Sequence, residues 1–348
     1  MAADLRVGFV GCGLIGRSHA RGVQAAGGAD IVAVHDLDPA RAAAFAADHG
    51  TGPGAVAPSA EAVIEAADVV YVCTWTSEHR ALVEAVAAAG KPVFCEKPLA
   101  TSLEAAAAMT GAVTRAGVTN QVGLVLRNSP SFRWLQRQVT DPDAGPLMNV
   151  VFRDDQYLPV QGLYGSTWRA DRARAGAGTL LEHSIHDLDL LRWMMGPIRS
   201  VSARMRCLHG LDGIDDQASV LLEAESGAHA TLISVWHDVL SRPSQRRVEA
   251  FCQRAVFALE GDWSGPVSAE RQPVEGPAAA VPESLQGPAL GEAAERLDGL
   301  GQNPDAAFLD AVRRNEPAYP DFAVALEAHR LADAAYRSAA ADGAPIPI

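Results

Sequence analysis

The sequence predicts an α/β, doubly wound N-terminal domain with a parallel sheet, followed by an α+β domain with a large open, mainly antiparallel sheet. In the first third, short β-branched runs alternate with alanine-rich stretches of helical length. Several of those runs are nearly all apolar, as strands covered on both faces by crossover helices must be. After Arg127 the alternation stops, and strand-like runs follow one another without helices between them. A length of 348 residues exceeds what one core usually supports, so two domains are expected, over 1–127 and 128–348, with the C-terminal helices able to pack back on the first.

The elements follow in order. Strands are expected at Leu5 to Val10, Asp30 to His35, Val69 to Thr74, Pro92 to Cys95 and Val118 to Gly123. Helices fill the gaps at Leu14 to Ala26, Pro39 to Asp48, Ser59 to Ala66, Glu78 to Ala89 and Ser102 to Ala116. Strand, helix, strand repeated in this way is the doubly wound pattern. In the second domain a helix at Pro130 to Val139 leads to the strand "LMNVVFRDDQY", and one continuous helix is expected from Thr179 to Met195. The runs Ile198 to Cys207, Gln217 to Ala224, His229 to Trp236, Arg246 to Phe251 and Ala255 to Leu259 are spaced as an antiparallel meander. Ser264 to Gly301 is rich in Pro, Gly, Ala and Glu without clear periodicity, and reads as an irregular functional or interaction segment. Helices at Pro304 to Arg314 and Phe322 to Ala340 close the chain.

Bulk properties narrow the class. Apolar residues at 48% and charged residues at 20% describe an ordinary globular chain. A net charge of −13 argues against nucleic-acid or anionic-membrane surfaces, which select basic patches. Five widely spaced cysteines without a Cys-x-x-Cys pair suit reduced thiols. With no secretion signal and no apolar run of membrane-spanning length, the expected location is the cytoplasm.

The first chemical signal is "VGFVGCGLIGRSHA", which places Gly11-x-Gly13-x-x-Gly16 directly after a strand and at the opening of a helix. The first glycine permits a tight turn, the second lets backbone approach a pyrophosphate, and the third allows close helix packing. Backbone N–H groups of Cys12, Leu14 and Ile15 belong to the same Rossmann-type cradle. Asp36 ends the second strand, where a carboxylate accepts hydrogen bonds from the adenosine ribose. With Asp38 it repels a 2′-phosphate, so NAD is favoured over NADP.

The second signal is "GKPVFCEKPLA", with Glu96-Lys97-Pro98 at the carboxyl end of a strand, the edge where ligands bind in open α/β sheets. The third is "GAGTLLEHSIHDLD". On a helix, Glu182, His186 and the region of Asp189 to Trp193 form one stripe facing a cleft, and Leu181, Ile185, Leu188 and Met195 a packing stripe. A competing reading makes Glu182, His183, His186 and His237 a zinc or iron cluster, which leaves Lys97 unexplained. His183 alone suits a satisfied, partly buried histidine, and Asp187 a structural bond to backbone or to an arginine such as Arg192.

The glycine motif, "EKP", the "GAGTLLEHSIHDLD" stretch and the α+β second half together resemble the glucose-fructose oxidoreductase, inositol dehydrogenase and rhizopine-catabolism (Gfo/Idh/MocA) family, over roughly residues 4–260. The resemblance implies NAD-dependent oxidation of a secondary hydroxyl of a sugar or cyclitol, or the reverse. It makes Lys97 the lysine that bonds the reacting hydroxyl and His186 the general acid/base. Glu182 falls where the family's motif has aspartate, and Ser184 where it has glycine, which implies a pocket of different depth. It further implies Arg127, Asp155, Gln156, Trp168, Arg169, His183 and His237 as substrate-side groups, and Thr74, Trp75, His79 and Glu96 as cofactor neighbours. A homodimer or homotetramer is implied as well. Redox-assisted glycoside cleavage with retained NAD, and a non-catalytic nicotinamide-responsive binding protein, are the rival readings.

Overall fold

The computed structural model describes residues 4–49, 53–272, 283–298 and 301–348. Its chain divides into two units, one of Met1–Leu124 with Asn303–Leu326 and the other of Val125–Gln302 with Glu327–Ile348.

In the first unit, β1 (Leu5–Val10), α1 (Leu14–Ala26), β2 (Ala29–His35), α2 (Pro39–Asp48), α3 (Ala60–Ala66), β3 (Val69–Val72), α4 (Thr76–Ala88), β4 (Val93–Cys95), α5 (Leu103–Ala116) and β5 (Asn120–Val122) follow one another. Among the described residues the sheet has five parallel strands in the order β2-β1-β3-β4-β5. Helix starts are chemically marked. Asp38 accepts from the Ala40 and Arg41 N–H groups, and Ser59 and Ser102 cap α3 and α5, satisfying donors that have no partner inside a helix. Register aligns Phe9, Tyr71 and Phe94 on neighbouring strands, and their rings stack at 4.8 and 4.9 Å. Phe308, from the helix Pro304–Arg314, meets Tyr71 and Phe94 edge-on at 5.7 Å. Such ring pairs contribute about 0.5–1.5 kcal/mol each beyond area burial. They tie the late helix to the centre of this sheet.

The second unit contains α6 (Pro130–Val139), β6 (Leu147–Tyr157), α7 (Arg172–Ala175), α8 (Thr179–Glu182), α9 (Ile185–Met195), β7 (Ile198–Arg206), β8 (Gln217–Ala224), β9 (His229–His237), β10 (Gln245–Cys252), β11 (Ala255–Glu260), β12 (Val267–Arg271), β13 (Glu283–Leu285), α10 (Gly287–Asp298) and β14 (Ile346–Pro347). Among the described residues these strands make a nine-stranded sheet, ordered β13-β12-β11-β10-β6-β9-β8-β7-β14. It is not the simple meander expected from spacing. β6 inserts between β9 and β10, antiparallel to β10 and parallel to β9. Burial alternates along the strands. One face is covered, with Phe132 of α6 stacked on Phe152 of β6 at 6.1 Å and Trp134 edge-on to Phe257 at 6.0 Å. The other face carries exposed Val151, Leu221 and Ile233.

Two further expectations require correction. The stretch from Ser264 is not irregular throughout, since β12, β13 and α10 lie in it, while residues 273–282 and 299–300 fall outside the described residues. Val267-Ser268-Ala269 alternates buried, half-buried and buried, too briefly to register as a strand period among prolines and glycines. The expected helix from Thr179 to Met195 is two helices broken at His183 and Ser184, whose side chains reach Asp154 on β6 instead of continuing one helical surface. Asp215 fixes the first piece by accepting from the Gly178 and Leu180 N–H groups at 2.8 and 3.0 Å. A Cβ on Gly178 would sit 1.8 Å from the Asp215 carbonyl oxygen, so glycine is required there. No described helix is long and apolar enough to cross a membrane.

Candidate active site

In the first unit the carboxyl ends of β1, β2, β3 and β4 carry Gly11, Asp36, Cys73 and Glu96 respectively, all on one edge of the parallel sheet. Each glycine of the loop meets a different steric demand. Gly11 has φ +96, and a Cβ there would lie 2.4 Å from the Cys73 carbonyl oxygen. A Cβ on Gly16 would lie 2.4 Å from the Gly11 carbonyl oxygen, whereas one on Gly13 would meet nothing within 4 Å. The open space beside Gly13, at the uncapped start of α1, fits a pyrophosphate brought against backbone N–H groups. Leu14 and Ile15 are exposed on the same turn.

Asp36 is held in place. Its Oδ2 accepts from the Cys12 N–H and its Oδ1 from the Asp38 N–H, both at 2.9 Å. Arg41, which the sequence reading missed, places Nη1 3.3 Å from Asp36 Oδ1 and Nη2 3.6 Å from Asp38 Oδ2. Asp38 therefore acts as a helix cap and a partner of Arg41, and its repulsion of a 2′-phosphate is offset by that cation.

Lys97 follows β4 and is half-buried, with a cis peptide bond to Pro98. Its N–H donates to Glu96 Oε2 at 3.1 Å. Glu96 is buried, and its Oε1 lies 2.8 Å from His19 Nε2. Glu96 therefore anchors the lysine's backbone from the interior of the unit. His79 is buried too. One ring nitrogen faces the Pro98 and Leu99 carbonyls at 3.1 and 3.3 Å, and the other the Thr74 carbonyl at 3.3 Å. Burial lowers its pKa, and the ring fastens the β3–α4 turn, with Thr74 and Trp75, to the segment after Lys97.

In the second unit, Glu182 to Asp189 are buried apart from half-buried His183, so no stripe of a single helix faces solvent. Glu182 ends α8 and His186 lies in the first turn of α9. Glu182 Oε1 pairs with Arg169 Nε at 2.7 Å, and the Arg169 guanidinium lies 4.7 Å above the Trp168 ring. Trp168, Arg169 and Glu182 thus form one assembly. Arg127 binds Asp189 through two bonds of 2.7 Å and lies 5.0 Å from the Trp193 ring. Burial raises the Asp189 pKa and Arg127 opposes it.

Beneath α9 lies a cluster that the sequence reading did not find. Arg246 is surrounded by Asp187 Oδ1 at 2.5 Å, Asp262 Oδ2 at 2.8 Å and Asp154 Oδ2 at 3.3 Å. Asp187 makes a structural bond to an arginine, as expected, but the partner is Arg246 and not Arg192. Burial pushes its carboxyl up to about 7, with Arg246 opposing and Asp154 adding to the rise. Ser184 donates to Asp154 at 2.8 Å and its oxygen lies 2.7 Å from the Ser234 hydroxyl, so the hydroxyl at the glycine position of the motif is bound inside the unit. His183 Nε2 is 3.2 Å from Asp154 and 3.3 Å from both Ser244 and Arg246, a satisfied histidine.

Asp155 and His237 lie apart from this cluster. The strand pleat turns Asp154 and Gln156 to the covered face and Asp155 to the other. There Asp155 gathers Arg242 Nη2 at 3.0 Å, Arg153 at 3.1 Å and His237 at 3.4 Å. Burial pulls its pKa up, and these partners outweigh it and hold it below the usual carboxylate range. Asp154, not Asp155, is the acid that reaches α9. Among the described residues no group of three or more His, Cys, Asp or Glu is arranged to hold a metal ion.

Both units match known proteins. A model of the oxidoreductase family Gfo/Idh/MocA with an NAD-binding Rossmann fold matches residues 5–124, and one of the Gfo/Idh/MocA C-terminal domain matches residues 132–258. An inositol 2-dehydrogenase of Rhizobium meliloti (strain 1021) is 30% identical, with 97% of each chain covered. A 1,5-anhydro-D-fructose reductase of Ensifer adhaerens is 32% identical over 68% of this chain and 69% of its own. The crystal structure of GenD2 from gentamicin A biosynthesis in complex with NAD is 26% identical, with a TM-score of 0.81 over 100% of this chain and 97% of its own.

Proposed function

The chain belongs to the Gfo/Idh/MocA family of NAD-binding oxidoreductases, and from that membership we propose that it oxidises a secondary hydroxyl of a cyclitol, sugar or related polyol, or reduces the matching ketone. The observation that carries the reading is Lys97, set on the same sheet edge as the glycine loop and Asp36 and held there through its N–H by a buried carboxylate. Bound NAD⁺ supplies the hydride acceptor at nicotinamide C4. Lys97 hydrogen-bonds the reacting oxygen and stabilises the charge that grows on it, while His186 takes the hydroxyl proton as the carbinol carbon gives up hydride. Glu182, fixed by Arg169 with Trp168 stacked on it, orients a neighbouring hydroxyl; an indole suits the C–H face of a polyol ring. Arg127, by contrast, is read as the partner of Asp189. The exposed apolar residues of the open sheet face support a homodimer or homotetramer.

The test is a spectrophotometric screen of NAD⁺ reduction over inositols, monosaccharides and anhydrosugars, with NADH and the corresponding ketones in the reverse direction. Turnover of at least one cyclitol or sugar is expected. Tight NADH binding with no turnover across the panel contradicts the proposal and favours a nicotinamide-responsive binding protein. Tight cofactor retention with glycoside cleavage but no net NADH points instead to redox-assisted lysis.

The cofactor preference has its own test. Asp36→Ala removes a charged acceptor and is expected to raise the Kd for NADH by about 10- to 100-fold, since hydrogen bonds to charged groups contribute roughly 1.5–3 kcal/mol. Arg41→Ala is expected to leave NADH binding within about threefold and to weaken NADPH further, because it removes the cation beside Asp36 and Asp38. Fluorescence titration with both dinucleotides reads both results.

A further inference from the structure

His19 lies on α1, three residues after Gly16, where the sequence reading assigned it no role. Its ring is buried between two carboxylates. Nε2 is 2.8 Å from Glu96 Oε1, and Nδ1 is 2.8 Å from Asp305 Oδ1 on the Pro304–Arg314 helix. Both nitrogens face acceptors, so both carry hydrogen and the ring is an imidazolium. Burial alone would lower its pKa, but the two acids outweigh this and push it up to about 10. The site is tightly built. A Cβ on Gly22 would lie 1.9 Å from Asp305 Oδ2, and one on Gly123 2.3 Å from Glu96 Oε1. Glycine at both places lets the acids reach the ring.

Burial works against charge on the other ionisable groups packed around it. Burial drives the phenol of Tyr71 and the thiols of Cys73 and Cys95 well above their usual values, and it lowers the imidazole of His79. What remains is an alternating line of charge: Asp305, His19, Glu96, Lys97. Burial opposes the charge on Glu96, and the bond to His19 outweighs that, with Lys97 acting in the same direction.

We propose that His19 and Asp305 act with Glu96 as positioning residues for Lys97: the imidazolium, held by Asp305, fixes the Glu96 carboxylate, and that carboxylate accepts from the Lys97 N–H and so sets where the lysine stands at the end of β4. This rests on the reading of Lys97 as the catalytic amine. The arrangement also joins the glycine-loop helix to the lysine strand, so one buried ring links the cofactor side of the unit to its reactive amine.

The chain has two lysines, Lys91 and Lys97, which makes a direct test practical. Reductive methylation with ¹³C-formaldehyde labels both side-chain amines and the N-terminal amine, and ¹H–¹³C NMR reads each in the full-length protein. In Glu96→Gln, whose amide keeps the shape but not the charge, the Lys97 resonance is expected to move and kcat of the unlabelled protein to fall by about 10- to 100-fold, as when a reacting group is displaced by about 1 Å, while the Kd for NADH stays within about threefold. The resonance of Lys91, which donates to the carbonyls of Glu65 and Ala67, should not move. Asp305→Asn, one group further away, should act in the same direction by less, and it serves as the test if Glu96→Gln does not fold.

A Lys97 resonance and a kcat both unchanged in the folded variants overturn the proposal and leave His19 a purely structural ion pair. Lys97→Met separates this role from the catalytic one. If that variant keeps its activity the catalytic reading of Lys97 fails, whereas an inactive Lys97→Met with an unmoved Lys97 resonance and full kcat in Glu96→Gln sinks only the positioning role.

Discussion

His186→Ala is expected to lower kcat by about 10²- to 10⁴-fold, the usual loss on removing a general base, while leaving the Kd for NADH within about threefold. Lys97→Met should lose a comparable factor, because in the proposed mechanism it removes the donor to the oxygen on which charge develops. That mechanism has both residues serve one proton and hydride transfer, so the two losses should not multiply in the double variant. Activity of His186→Ala within a few-fold of wild type would remove the histidine from the reaction, and full multiplication would place the two residues in separate steps. Stopped-flow measurement of the first turnover, alongside steady-state rates, keeps a slow product release from hiding either effect.

The second large effect is on stability. Arg246 is the buried cation around which Asp154, Asp187 and Asp262 gather. Arg246→Met fills much of the same volume and leaves three acids without it, so a cost of about 3–5 kcal/mol is expected. The pH dependence follows from the direction of the shifts. Asp187 is raised to about 7 and Asp154 is raised as well, so both are protonated more readily in the folded chain than in the unfolded one. Their contribution is full below the ordinary carboxylate range and is lost as pH rises through about 7. Thermal denaturation at several pH values between 5 and 8 should show Tm falling with pH in the wild type and falling more steeply in Arg246→Met. His19 is raised to about 10, and its contribution, full below about pH 6.5, declines above that pH in both proteins alike. The difference between the two curves therefore isolates the cluster. An Arg246→Met protein as stable as wild type at pH 8 would show that the guanidinium is not what holds these acids.

Sequence was most informative where one short segment contains its own reason. The glycine loop could be read because each glycine answers a local steric demand, and α1 occupies the expected span from Leu14 to Ala26. Charged side chains were less legible, because their partners come from far along the chain. Two adjacent acids, Asp154 and Asp155, look equivalent in "FRDDQ", and only the pleat of β6 decides which one meets α9. The break at His183 and Ser184 has the same origin, since the Thr179 to Met195 stretch reads as an unbroken helix until Asp154 and Ser234 are brought against it. His19 and Asp305 are 286 positions apart, and nothing in either local segment announces the other. The signal that existed was a lone histidine on the buried side of the glycine-loop helix.

The place of β6 carries a consequence for how the second unit is assembled. β7, β8 and β9 pair with their neighbours in sequence, as do β10, β11 and β12, so each trio is able to form from local hairpins. β6 joins the trios, pairing Val150 with Ala230 on one side and with Ala250 on the other. Closing chain loops of that length is slow, so docking of this strand is expected to limit the folding rate. Truncating Phe152, whose ring is wholly enclosed, should then retard refolding more than it hastens unfolding.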